Sequence, residues 1–137
     1  MLDISQQASG QLRWAALADY VIVDQGSKIS ILGMFERISV LSLPATHPVM
    51  YVVSWWQGQP NGRFNLEQRI WAPTHQVLVT GGATPTQYSP SGKALAVQLF
   101  VGIPIPAHGN YTVELLVDGR REGTLTFEVA QVQLQRA

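Results

Sequence analysis

His47, His75 and His108 are the side chains best suited to acid–base or metal chemistry near neutral pH, and their placement argues against both. A metal site needs ligands at short spacing, such as two histidines one turn apart with a carboxylate nearby. These three lie far apart along the chain, each beside Pro, Thr or Ala in a segment that reads as a loop. No carboxylate stands close to His47 in sequence. A Ser/His/Asp relay would need a strained elbow such as Gly-x-Ser-x-Gly to present its nucleophile, and the chain has none. The acids occupy turns or outward strand positions and form no glycosidase-like pair. Gly81-Gly82 leads to Pro85 rather than to the Lys and helix of a phosphate-cradling loop. Cysteine is absent, which removes thiolate chemistry and disulfides. Asn110-Tyr111-Thr112 matches a glycosylation acceptor, but it reads more simply as a turn residue opening a strand. The expectation is a protein that is not an enzyme, with no catalytic, cofactor-binding or metal-ligating residues.

Aromatic residues offer the other chemistry. Trp55, Trp56 and Trp71 could stack on a sugar ring or a base. Adjacent residues of a strand face opposite sides, so only one of Trp55 and Trp56 could join such a platform. Strand aromatics belong to a core more often than to a platform. A small-ligand or carbohydrate-binding module using Trp56 or Trp71 therefore stays as the alternative to an interaction module.

Only 13% of the 137 residues are charged and 46% are hydrophobic, with a formal net charge of zero. That composition fits one well-buried domain, and it leaves little polar surface to keep a monomer apart from its copies. No basic patch suggests nucleic acid, and no charge run suggests an anionic membrane. No apolar run approaches the roughly 18 residues of a membrane span. The start, MLDISQQASG, lacks the features of a signal peptide. A cytoplasmic protein is expected; a virion component made in the cytoplasm fits the same facts.

The elements that position these residues read as short strands. Residues 12–23 are densely apolar; the Ala- and Leu-rich start could form a helical turn, while Tyr20–Val23 is a strand. Residues 24–27 supply a turn, with Gly26 free to take positive φ. Residues 28–41 form a long strand or a broken pair around Gly33, whose place suggests a bulge that re-aims the side chains. Pro44 and Pro48 are expected to end it. In the next strand Tyr51, Val53 and Trp55 share one face, and Val52, Ser54 and Trp56 the other. Phe64, Leu66 and Ile70 alternate with Asn65, Glu67 and Arg69. Residues 81–92 read as a loop. Leu95, Val97, Leu99 and Val101 line one face, and residues 102–106, with two prolines, read as extended but outside any sheet. Tyr111, Leu115, Leu125 and Phe127 are expected in the core, with Thr112, Glu114, Thr126 and Glu128 facing solvent. Seven or eight strands with turns between them predict an all-β, antiparallel β-sandwich over residues 14–130. Residues 1–13 form an N-terminal arm and residues 131–137 a tail.

Asp19-Tyr20, Ile31-Leu32-Gly33-Met34-Phe35, His47-Pro48 and Gly109-Asn110-Tyr111 with Val117-Asp118-Gly119 resemble, in that order, a family of small uncharacterised proteins of bacteria and their phages. The resemblance implies an immunoglobulin-like sandwich and no assigned activity.

One pattern remains. An antiparallel sheet in a monomer is apolar on one face and polar on the other. The strands around Ile22, Leu32 and Val52 are apolar on both, so something must cover the second face, either the N-terminal arm or another subunit, and the arm offers mainly Leu2 and Ile4. A homo-oligomer or another protein partner is expected there, with Leu32, Met34, Val52 and Trp56 as candidate interface residues and Trp56 as the anchor.

Overall fold

The computed structural model describes residues 10–26 and 28–133. Most of the expected arm, residue 27 of the expected turn and the end of the expected tail lie outside these residues. Within them the chain forms β1 (Gln11–Val23), β2 (Ile29–Met34), β3 (Arg37–Val40), β4 (Ala45–Gln57), β5 (Arg63–Trp71), β6 (Val77–Gln87), β7 (Lys93–Ile105), β8 (Gly109–Val117) and β9 (Arg120–Gln131). That is nine strands among the described residues, where the sequence suggested seven or eight. One sheet has the order β2-β1-β4-β7 and the other β3-β9-β8-β5-β6. All pairings are antiparallel except β3 with β9, which is parallel.

The two sheets enclose the core. Leu17, Met50, Val52, Trp56 and Phe100 of the four-stranded sheet meet Phe64, Leu66, Ile70, Tyr111, Val113, Leu115, Phe127 and Val129 of the five-stranded one. Tyr111 and Phe127, opposite each other in the β8–β9 ladder, stack at 5.1 Å. Alternation explains most of this, since residues two apart in a strand share a face. Leu125 packs against the core half-buried.

Several expectations about breaks need correction. Residues 12–17 are strand throughout, because their Cα partners in β4 run from Trp56 to Val52 and leave no room for a helical turn. Gly26 is not among the residues with positive φ; the turn is held instead by the Asp24 carboxylate, which accepts from the Gly26 and Lys28 amides. Pro48 does not end a strand but lies inside β4, where β1 has already parted from it and only β7 remains as a neighbour. Pro85 and Pro104 sit in β6 and β7, each at the edge of its sheet, where a missing N–H breaks no ladder. Residues 102–105 are thus part of a sheet. Gly102 at φ 67° lies between Phe100 and Ile103, both buried although three apart, so it reverses which side of β7 faces the core. Residues 81–87 likewise belong to a strand, paired with β5.

Residues 28–41 are the broken pair. The β1–β2 ladder ends at Ala18↔Met34, and three residues later the chain enters the opposite sheet at Arg37↔Glu128. Gly33, at φ 68°, precedes that crossing. A Cβ there would lie 2.5 Å from the Asp19 Oδ2 atom. Gly33→Val should therefore lower stability by roughly 1–3 kcal/mol, mainly through the left-handed backbone. Thermal or denaturant melts check this, and a melt equal to the parent's would refute it. Phe127→Ala removes a ring from the centre of the core and should cost about 3–5 kcal/mol in the same measurement; a loss under 1 kcal/mol would contradict the packing.

Candidate functional site

The outer face of the four-stranded sheet is built by register. Trp14, Trp55 and Leu95 form one cross-strand row; Ala16, Val53 and Val97 the next; Met34, Ala18, Tyr51 and Leu99 the third. Leu32 with Tyr20, and Val49 with Val101, continue it. Trp14 and Trp55 contact at 4.7 Å between ring centres, and the Tyr20 ring meets Tyr51 edge-on at 5.8 Å. Small Ala16 and Ala18 let these larger neighbours close over Val53, which is fully buried although it faces outward. The three central rows contain no charged side chain; Lys93 and Gln57 stand at the end of the face.

The outer face of the five-stranded sheet differs in kind. Glu114 sits there under its neighbours, receiving bonds from Arg121 Nε (2.6 Å) and Trp71 Nε1 (3.2 Å). Arg69 lies between Glu67 at 2.8 Å and Glu114 at 3.8 Å. Glu114 points outward as alternation requires, but Arg121 and Trp71 cover it, so it is buried rather than solvent-facing. Burial alone would raise its pKa; the hydrogen bonds from Arg121 and Trp71 and the charges of Arg121 and Arg69 outweigh that and hold it below the ordinary range. Trp71 is half-buried beside an open depression shared with His75, Asn110 and Thr112.

Of the four expected interface residues, Leu32 (53% exposed) and Met34 (60%) lie on the open face of β2. Val52 (0%) and Trp56 (1%) do not; they point into the core. Trp56 packs on Phe64 at 5.5 Å and donates its indole N–H to Ser54 Oγ at 2.8 Å. The alternation of β4 was legible, but both of its faces are apolar, so periodicity could not tell which one the other sheet covers. The outward tryptophan is Trp55. Trp14, Tyr51 and Leu95 were not singled out for the face, and the signal that could have found them is their register with Trp55 and Val53.

The histidines do not converge. His75 lies in a turn at φ 64°, and His108 is exposed before β8. Among the described residues no group of three or more His, Cys, Asp or Glu side chains is placed to hold a metal ion. His47 is in β4 rather than a loop, with its ring 6.0 Å from Phe35 and its Nε2 buried without a hydrogen-bond partner among the described residues. Burial lowers its pKa, against the opposing effects of the Asp19 charge and a backbone hydrogen bond at Val49. Asp19, Gly33, Phe35 and His47, far apart in sequence, thus meet where β1, β2 and β4 diverge.

Residues 13–130 match the profile of a family of unknown function, DUF6941. No curated protein matches the chain. Among solved structures it is similar to an alkylpurine DNA glycosylase, AlkC, of Pseudomonas fluorescens, bound to DNA with an abasic-site analogue (12% identity, TM-score 0.51, covering 84% of this chain and 30% of that one). It is also similar to a β-glucosidase of Listeria innocua in complex with isofagomine (6%, 0.52, 89% and 17%). An immunoglobulin-like protein of Pseudomonas aeruginosa matches over 90% of this chain and 98% of its own, at 14% identity and a TM-score of 0.46. The chain spans under a third of the glycosylase and about a sixth of the glucosidase, so these likenesses show the fold alone.

The lowered Glu114 pKa has a consequence for acid stability. A carboxylate held below its unfolded pKa contributes stability that is fully present above the unfolded value and is lost as pH falls through the folded one. Melting temperature should therefore fall on acidification from about pH 5 to about pH 3, and Glu114→Gln should flatten that fall. Parallel melting curves for the two proteins across this window would contradict it.

Proposed function

The chain belongs to this family, DUF6941, and we propose that it is a non-enzymatic, immunoglobulin-like interaction module that pairs with a second copy of itself through the outer face of the four-stranded sheet. The observation that carries the reading is that face. Trp14, Tyr20, Leu32, Met34, Val49, Val97, Leu99 and Val101 are each between 36% and 70% exposed along it. Together they form an open apolar patch able to serve as one side of a standard interface, which buries roughly 1,600 Å² in total. Isolated monomers seldom leave a contiguous apolar patch of that size in water.

Self-pairing is favoured over an unlike partner by charge. A face whose central rows carry no charge gives no repulsion between like copies and no electrostatic code for a different protein. A two-fold axis through the face would set sheet against sheet at about 10 Å, the spacing of the inner layers of a sandwich. The immunoglobulin-like reading has support of its own. Tyr111 donates its hydroxyl to the Ala107 carbonyl at 2.6 Å, bridging back four residues at the β7–β8 corner as in the tyrosine corner of such sandwiches.

Light scattering during gel filtration decides the matter. The expected mass at micromolar concentration is twice the 15.1 kDa of one chain. Val97→Arg, in the middle row, should return it to a single chain with its circular dichroism and melting cooperativity kept, and Leu99→Lys should do the same. A parent protein that already runs as a single chain, or folded variants that remain dimeric, would defeat the interface.

A further inference from the structure

A second opening lies on the flank of the molecule, between the sheets. Because β2 stops at Met34, the edge of β1 before Ala18 has no neighbour on that side among the described residues. Because β3 joins β9 only from Glu128 onward, the edge of β9 before it also has no neighbour among the described residues. Between these edges is a groove of about 640 Å³ whose lining includes Ala15, Leu17, Phe35, Glu36, Thr124 and Leu125. Leu12 packed on Gly123 closes one end, and the crossing at Phe35 and Glu36 closes the other.

Backbone direction shows what this groove lacks. The Leu17 carbonyl accepts from the Phe35 N–H at 3.0 Å, so the peptide groups of Leu17 point away from β4 and toward the groove. The N–H and C=O of Ala15, two residues back, point the same way. On the facing edge, the Glu128 N–H donates to the Glu36 carbonyl at 2.9 Å, away from β8. The peptide groups of Thr126 and Thr124 therefore also face the opening. Among the described residues no backbone bond crosses it from β1 to β9. Peptide groups left this way on an exposed edge are a template for another strand.

We infer that this groove binds an extended segment of another polypeptide by strand addition to β1, continuing the line that β2 abandons. The groove borders the self-pairing face, sharing Trp14, Ala16 and Met34 in its lining, but the inference does not rest on that pairing. The occupant is a stretch of about four to six residues, which at roughly 3.3 Å per residue spans the groove. Alternate side chains are apolar, to reach Leu17, Phe35 and Leu125, and a basic residue flanks them to meet Glu36, the one charged side chain in the lining. Occupation by residues 1–9 of the same chain is an outcome that the test below distinguishes.

The probe is a displayed library of random seven-residue peptides panned on the full chain, with the selected peptides then synthesised, capped and titrated by fluorescence anisotropy. The expected winners alternate apolar and polar residues with a Lys or Arg at one end. Methylating alternate backbone amides, which keeps the side chains but removes donors, should weaken them at least tenfold. Ala15→Pro should do the same at unchanged melting temperature, and Glu36→Lys should remove the basic preference from the selected pool. Amide exchange at Ala15 should slow on binding. Three results would overturn the inference: no saturable binder in the library, methylated peptides that bind as well as their parents, or an Ala15 amide that exchanges slowly in the free chain and fast only after residues 1–9 are deleted.

Discussion

The early departure of the chain from the four-stranded sheet governs the rest of the architecture. Gly33 holds φ at 68°, the β1–β2 ladder ends one residue later, and by Arg37 the backbone is paired in the other sheet. A residue with a Cβ would resist that conformation and press on the Asp19 carboxylate, so the crossing depends on glycine at this point. From it follow the short β2, the parallel pairing of β3 on β9, and two strand edges without neighbours among the described residues. The same crossing brings Phe35 over His47 and leaves Asp19 within electrostatic reach of that imidazole. Residues that form separate short motifs in the sequence are thus one packed junction in space.

The two sheets meet water on unlike terms. On the five-stranded sheet, outward positions carry Glu67, Arg69, Glu114 and Arg121, tied together by charge-assisted bonds, with threonines between them. These groups are solvated or mutually satisfied, and the face has no need of cover. The four-stranded sheet has apolar side chains in the same positions, and small Ala16 and Ala18 among them allow the aromatic rings to settle over Val53. Partial self-cover of this kind lowers the exposed area without removing it, as Met34 and Val101 show.

How much of this was legible depends on whether local chemistry or long-range partnership decides each feature. The parity of β4, β5, β8 and β9 was readable, because alternation is a property of the strand itself. Which side of β4 faces inward was not, because Val53 and Val52 are equally apolar and only the position of the second sheet separates them. That error displaced Val52 and Trp56 from the core to a surface where Leu32 and Met34 do lie. Prolines misled for a related reason. Pro48, Pro85 and Pro104 read as strand breakers, yet each stands where a strand has a free side, and whether a side is free is a fact about topology. Glu114 was assigned its correct side but the wrong exposure, since Arg121 and Trp71 reach it from neighbouring strands.

Edge protection separates the two kinds of open backbone in this molecule. β6 and β7 are long strands at sheet edges, and such edges invite uncontrolled pairing. Each carries a proline, and β7 also carries Gly102, whose left-handed turn reverses the strand's facing and makes a flat template discontinuous. The edges of β1 and β9 that line the flank groove carry no proline along Ala15–Leu17 or Thr124–Phe127. They are not blunted by sequence but recessed by geometry, with Leu12 on Gly123 at one end and the crossing chain at the other. A recessed template excludes the broad edge of another sheet while still admitting a single extended strand. Exposed edges closed by chemistry and a sheltered edge left chemically open are what a module would need if it is to select one strand without aggregating through the others.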